Sequence, residues 1–250
     1  MIRFLSIASG SKGNATIIYD EKTLFQIDMG LTFTRLKEGL GYIYKKVDDV
    51  EALFITHEHA DHIKGVKYLL ERDIPVYCSS LTPLDEAEHF LDDEVFHLGS
   101  FYIYPFFVSH DASMPTNYLI VNGEETLGYV TDTGMLSEDN LKLLKNKTYY
   151  IFESNHDKKM LMNSKRPMCL KKRIASEHGH LSNEQSAKYM SELIGPNTKA
   201  IYLSHLSEEC NSEEVALSTY RETLKKKGVD ISKITIKCLR QHSMVEGGDL

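Results

Sequence analysis

The segment Thr56-His57-Glu58-His59-Ala60-Asp61-His62 constrains this chain more than any other stretch. It follows directly on the apolar run 52–55, so three imidazoles and a carboxylate fall at the end of an expected strand. Two positions apart in extended chain, His57 and His59 point to the same side. Asp61 and His62 come where the chain must turn toward the next helix, from which they can reach a neighbouring point. A single histidine at a strand end is ordinarily a hydrogen-bonded structural residue. Gathering this many polar groups at the end of a buried strand is costly unless they are used together. Imidazole nitrogens mixed with carboxylate oxygen suit zinc, manganese or iron better than magnesium or calcium.

Apolar patterning predicts strands over 4–8, 15–19, 23–27, 52–56, 75–78, 102–108, 118–121, 127–131, 149–153, 200–204 and 234–238. Helical periodicity fits 31–40, 63–71, 83–91, 138–144, 183–194 and 212–227. Asn183, and Ser212 with Glu213 and Glu214, read as helix starts that set polar or acidic groups against the positive end. Strands come early in hairpin-like pairs and then alternate with helices, in each half of the chain. That order suggests an α/β (α+β) fold of two similar halves, sheets packed face to face with helices outside. No linker or repeat interrupts it, and 250 residues can form one core, so a single domain over 1–250 is expected.

H-x-H-x-D-H after an apolar strand resembles the metal-binding motif of the metallo-β-lactamase superfamily. That resemblance implies a four-layer αβ/βα sandwich with a dinuclear metal site at one edge between the two sheets. The remaining superfamily elements occur in order, each ending an expected strand: Asp28 in FQIDMG, His110 in FFVSHDA, Asp132 in GYVTDTG and His205 in AIYLSHLS. By resemblance, His57, His59 and His110 hold one metal, Asp61, His62 and His205 hold the other, and Asp132 bridges them. Asp28 is then the group that orients ligand histidines from behind. The implied cofactors are two divalent ions, zinc or manganese, with iron also compatible.

Three further segments narrow the reading. Ser9-Gly10-Ser11-Lys12-Gly13-Asn14 follows the first strand, where small residues let backbone amides face an anion. Ser11, Lys12 and Asn14 are therefore candidate phosphate contacts, although such a turn is as often a plain hairpin. Glu153-Ser154-Asn155-His156-Asp157 closes a strand and makes Asn155 and His156 candidate substrate contacts. His178-Gly179-His180-Leu181-Ser182-Asn183 precedes a helix whose free N–H groups could meet an anion. Within it, His180 resembles the non-ligand histidine that superfamily nucleases place against the scissile phosphate. The combination SGSKGN, THEHADH, TDTG, ESNHD, GHLSN and LSHLS is similar to the YycJ (WalJ) family, related to RNase Z and RNase J. Members of that family are described as 5′-to-3′ DNA exonucleases and are linked to a cell-wall two-component system of Gram-positive bacteria.

The resemblance implies a metal-dependent phosphodiesterase, most simply a DNA nuclease, in which a metal-bridging hydroxide attacks phosphorus. Asp61 orients the nucleophile and His180 serves the leaving oxygen. The alternatives are a small-molecule hydrolase of the same fold, such as a thioesterase or cyclic phosphodiesterase, and a metal-bound regulator without activity. The net charge of −7 argues against nucleic-acid binding by a global positive field. Charge is uneven, however: Lys158, Lys159, Lys165, Arg166, Lys171, Lys172 and Arg173 form a run without an acid. Such a run is ordinarily a solvated face. Its place before the GHLSN motif makes Lys171, Lys172 and Arg173 candidate contacts to flanking phosphates. DNA is favoured over RNA as the substrate. No apolar run approaches the roughly 20 residues that span a bilayer. The four cysteines are scattered and no export signal is visible, so reduced thiols and a cytoplasmic location are expected.

Overall fold

The computed structural model describes residues 1–90 and 94–249. The chain forms two compact units: 1–107 with 112–124 and 240–250, and 108–111 with 125–239.

In the first unit, β1 (Arg3–Ala8), β2 (Ala15–Tyr19) and β3 (Leu24–Ile27) run antiparallel to one another. Helix α1 (Phe33–Tyr42) then leads to β4 (Leu53–Phe54), which pairs parallel to β3. Two single turns, α2 (Ala60–Ile63) and α3 (Lys67–Leu70), follow before β5 (Val76–Ser79) and β6 (Glu88–Phe90) extend the parallel part. The hairpin of β7 (Phe96–Leu98) and β8 (Phe101–Phe107) continues antiparallel into β9 (Thr116–Asn122).

The second unit is built on parallel strands β10 (Glu125–Val130), β11 (Tyr149–Glu153), β12 (Ala200–Ser204) and β13 (Thr235–Cys238). Between them lie α4 (Glu138–Leu144), α5 (Lys158–Asn163), α6 (Met168–Ile174), α7 (Asn183–Leu193) and α8 (Glu213–Lys226). A last strand, β14 (Val245–Gly248), returns to the first unit and pairs antiparallel to β1.

Burial explains why these runs became strands. All of β2, β3, β11 and β12 is buried, as parallel or central strands covered on both faces require. In the first unit Phe25 meets Phe54 and Phe101 edge-on, at 5.7 and 5.2 Å between centroids. The Tyr118 hydroxyl donates to the Ile55 carbonyl at 2.6 Å and so fixes the backbone just ahead of the histidine motif. In the second unit α7 starts with a capping box, Ser182 accepting from the Gln185 amide and Gln185 from the Ser182 amide. Ser212 caps α8 in the same position, with Glu213 and Glu214 in the first turn.

Several expectations are corrected. The segment 83–91 is not helical over its described part: Glu88–Phe90 is β6, paired parallel to β5, and Leu91 lies outside the described residues. Spacing of Leu84, Ala87 and Phe90 imitates a helix face, but the edge of β5 offers ladder hydrogen bonds that win. The expected helix 63–71 is broken into α2 and α3, because the Gly65 amide bonds the Met29 carbonyl at 2.7 Å instead of continuing the turn. Strand 52–56 shortens to Leu53–Phe54. The short strand β7, helices α5 and α6, and β14 were not expected from the pattern, and β14 means that the sheet elements do not end at Cys238. No helix among the described residues is long and apolar enough to cross a membrane.

Candidate metal centre

In the first unit the ligand candidates sit where β3 and β4 end. Asp28 follows β3 with φ of 58°, a left-handed conformation that an aspartate enters only at a cost. Its buried carboxylate accepts from the Thr56 amide (2.8 Å), the Thr56 hydroxyl (3.0 Å) and Nδ1 of His62 (2.8 Å). With Nδ1–H turned to the carboxylate, the His62 lone pair lies on Nε2. The Thr56 hydroxyl, having given its proton to Asp28, accepts from Nδ1 of His57 at 3.0 Å, which likewise puts the His57 lone pair on Nε2. His57 and His62 are buried, and the His57 ring lies 4.0 Å from that of His62 and 4.5 Å from that of His59. His59 caps α2 in extended conformation, and Asp61 lies in its first turn, a favourable place for a carboxylate.

The Ser9–Asn14 loop supports this cluster. Asn14 is buried; its amide nitrogen donates to the Asp61 carbonyl at 2.8 Å, and its side chain exchanges bonds with Gly10 and approaches Nε2 of His62 at 3.0 Å. Gly30 permits the approach: a Cβ there would lie 1.6 Å from the Asp61 carbonyl oxygen. Asn14 therefore shapes the ligand loop, while Ser11 and Lys12 are exposed and the Lys12 amide bonds Gln241.

In the second unit the candidates cluster at the carboxyl ends of parallel strands, where α/β sheets place their ligands. Asp132 follows β10 and His205 follows β12, both left-handed, with φ of 52° and 55°. Glu153, the last residue of β11, is wholly buried. Its Oε1 accepts from Nδ1 of His180 (2.7 Å) and of His205 (3.2 Å), and its Oε2 from the amides of Thr133 (3.0 Å) and Leu181 (3.1 Å). Burial pushes the Glu153 carboxyl up, but the His180 imidazole and these hydrogen bonds hold it down to about 2. Asp132, Glu153, His180 and His205 each offer a ligand atom within 4.8 Å of the others.

His110 is buried; its Nδ1 donates to the Gly179 carbonyl at 3.0 Å, which puts the lone pair on Nε2, and burial lowers its proton affinity. Its ring lies 5.1 Å from that of His180, which lies 5.1 Å from that of His205. The His180 loop is held tightly. Its amide bonds the Ile174 carbonyl at 2.8 Å, and a Cβ on Gly179 would strike the Arg173 and Ile174 carbonyls at 2.2 and 2.3 Å.

The ESNHD segment is a buried hub. Asn155 donates to the His205 carbonyl at 2.9 Å, which steadies the left-handed turn. His156 is buried beside it, burial lowering its pKa to about 4. The expected basic face is largely consumed. Lys171 is buried and donates to the Met162 carbonyl at 2.7 Å, while Lys158, Arg166 and Arg173 pair with Glu184, Glu209 and Asp111. Lys159, Lys165 and Lys172 remain exposed.

Sequence reasoning missed Glu153 as a site residue. Its signal was available, since it ends β11 between two strands whose ends carry Asp132 and His205. The donor set fits a divalent metal: buried imidazoles are turned by carboxylate, hydroxyl or carbonyl partners so that Nε2 offers the lone pair.

The profile of the β-lactamase superfamily domain matches residues 27–206, from just before Asp28 to just after His205. The exodeoxyribonuclease YycJ of Bacillus anthracis is 34% identical over 244 residues, covering 93% of this chain and 92% of the relative. The chain belongs to the β-lactamase superfamily, in the family of YycJ. The exodeoxyribonuclease WalJ of Streptococcus pneumoniae is likewise 34% identical, with 87% of this chain and 86% of the relative covered. Among solved structures, the metallo-β-lactamase-fold protein YhfI from Bacillus subtilis superposes with a TM-score of 0.69 at 15% identity, covering 98% of this chain and 99% of that one. The fold class expected from the sequence is thus the one found.

Proposed function

We propose that this chain is a dinuclear-metal-dependent phosphodiesterase and acts as a DNA exonuclease that removes nucleotides from the 5′ end. The observation that carries the reading is His180. It is 20% exposed at its side chain, whereas its partner Glu153 is entirely buried. A histidine fixed at Nδ1 by a buried carboxylate, with its other nitrogen left for substrate, is built for proton transfer. The relatives named above are exodeoxyribonucleases, and this likeness supports DNA as the substrate and an end of the strand as the point of attack.

In this reading His57, His59 and His110 hold one metal, Asp61, His62 and His205 the other, and Asp132 serves both. When bound, the metals supply a water made nucleophilic near neutral pH and neutralise charge at phosphorus. The chain's own groups do the rest. Asp28 and Thr56 fix the His57 and His62 tautomers, and Asp61 orients the attacking water. Glu153 holds the His180 ring, and Nε2 of His180 gives a proton to the leaving oxygen as the P–O bond breaks.

The test is hydrolysis of end-labelled single- and double-stranded DNA and RNA by protein of measured metal content. Release of mononucleotides from 5′-labelled DNA, abolished by chelation, is the expected result. Hydrolysis of a thioester without any of phosphodiesters, including bis(p-nitrophenyl) phosphate, would overturn the reading.

A further inference from the structure

The first unit carries a cluster of cations that the ligand groups do not use. Lys64, Lys67 and Arg72 follow His62 on and after α2 and α3, and Lys37 lies on α1; all four are exposed. In a chain with a formal charge of −7, surface cations readily find carboxylates, as Arg35 finds Glu38 at 3.1 Å on the same helix. Among the described residues none of these four makes an ion pair. Aromatic faces hold three of them instead. The Phe33 ring has the Lys37 ammonium 5.1 Å and the Arg72 guanidinium carbon 4.2 Å from its centroid. Lys67 lies 5.4 Å from the Tyr68 ring, and the two rings are 5.5 Å apart. Arg72 is further tied by a 2.7 Å bond to the Tyr68 carbonyl.

A cation on a ring face keeps its full charge, whereas a cation on a carboxylate does not. Lys37, Lys67 and Arg72 therefore keep their positive charge in positions set by the rings, clear of ion pairs with the neighbouring Glu38, Glu71 and Asp73, and such a set suits a polyanion. It also shares backbone with the ligand loop. The Met29 amide bonds the His62 carbonyl and the Gly65 amide the Met29 carbonyl, both at 2.7 Å, and α1 begins four residues after Met29.

We infer that Lys37, Lys64, Lys67 and Arg72 form a track for the phosphate backbone, holding the nucleic-acid strand beside the His57–His62 loop. The inference rests on the nuclease reading above and adds the surface that engages the strand. It uses none of the lysines of the second unit.

The test measures binding of the metal-loaded protein to a hydrolysis-resistant phosphorothioate single strand across a range of salt. The variant Lys37→Gln/Lys64→Gln/Lys67→Gln/Arg72→Gln should flatten the log K against log salt slope by about 2–3, at about 0.7 for each phosphate no longer neutralised. Lys64→Glu alone should flatten it by about 0.7 or more, which keeps the test open should the fourfold variant not fold. The control Lys45→Gln/Lys46→Gln, charge removal at the far end of α1, should leave the slope as it is. An unchanged slope in the fourfold and Lys64→Glu variants, with a salt-dependent wild type, overturns the track and leaves the nuclease reading standing. A wild type that neither binds nor cuts any strand overturns both. Binding to anionic phospholipid vesicles that the fourfold variant loses, with strand binding intact, overturns the track in favour of a membrane surface.

Discussion

Nδ1 of His180 lies 2.7 Å from Oε1 of Glu153, and the same oxygen lies 3.2 Å from Nδ1 of His205. One buried carboxylate thus orients a proposed proton donor and a proposed metal ligand together. Replacing His180 by Ala should cut turnover by about 10²–10⁴ while bound metal stays at the wild-type level. Glu153→Gln should cut turnover and weaken metal binding at once, since the amide offers a donor where His180 or His205 needs an acceptor. Metal analysis beside single-turnover hydrolysis separates the two; metal loss in His180→Ala contradicts the assignment.

Asp28 acts one bond further out. Asp28→Asn leaves His62 and Thr56 facing a neutral group that can accept through only one atom. Metal affinity should fall by about 10–100-fold, the usual effect of losing the partner of a ligating imidazole. Competition with a chelator of known affinity measures it, and unchanged affinity would rule out the orienting role.

Gly30 tests the packing of the ligand loop on its support. A methyl group there meets the Asp61 carbonyl at 1.6 Å, and backbone cannot swing aside as a side chain can. Gly30→Ala should destabilise the fold by about 1–3 kcal/mol, as overpacking does, and lower metal content through displacement of Asp61. A denaturant melt with m unchanged, read beside metal content, checks both effects.

Lys159 on α5, Lys165 in the turn that follows and Lys172 on α6 are exposed, whereas Lys171 on α6 is buried. Lys159→Gln/Lys165→Gln/Lys172→Gln should flatten the salt dependence of DNA binding by up to about 2, with stability within about 0.5 kcal/mol of wild type. Lys171→Ala should do the reverse. It removes the buried lysine's hydrogen bond to the Met162 carbonyl and should cost about 0.5–1.5 kcal/mol without touching the salt slope. Salt titrations and thermal melts on the same two proteins decide between the roles.

The long buried strands and capped helices were legible because burial on both faces leaves an apolar run, as in β11 and β12, and because Ser212 and Asn183 mark helix starts locally, although the cap of α7 proves to be Ser182, one residue earlier. Short elements were not. β6 exists because β5 presents an edge, and Glu88-His89-Phe90 holds no pattern that announces it. The strand-end residues Asp28, Asp132 and His205 were legible only through the resemblance to the superfamily pattern, since each alone reads as an ordinary polar group closing a strand. Glu153 was passed over in favour of its neighbours Asn155 and His156, because a lone acid says nothing of the two imidazoles that reach it from 27 and 52 residues away. Lys171 misled for the same reason: a run of like charge does not reveal which member turns inward to a carbonyl.

The left-handed backbone at Asp28, Asp132 and His205 sets stability against activity. Each such residue costs about 1–2 kcal/mol that glycine would not incur. The strain is tolerated only because the side chains are held: glycine at Asp28 would relax the backbone yet strand the Thr56 and His62 donors, and glycine at His205 would leave Glu153 one donor short. Backbone contortion and polar anchoring are therefore inseparable at both places, and neither can be relieved without undoing the other.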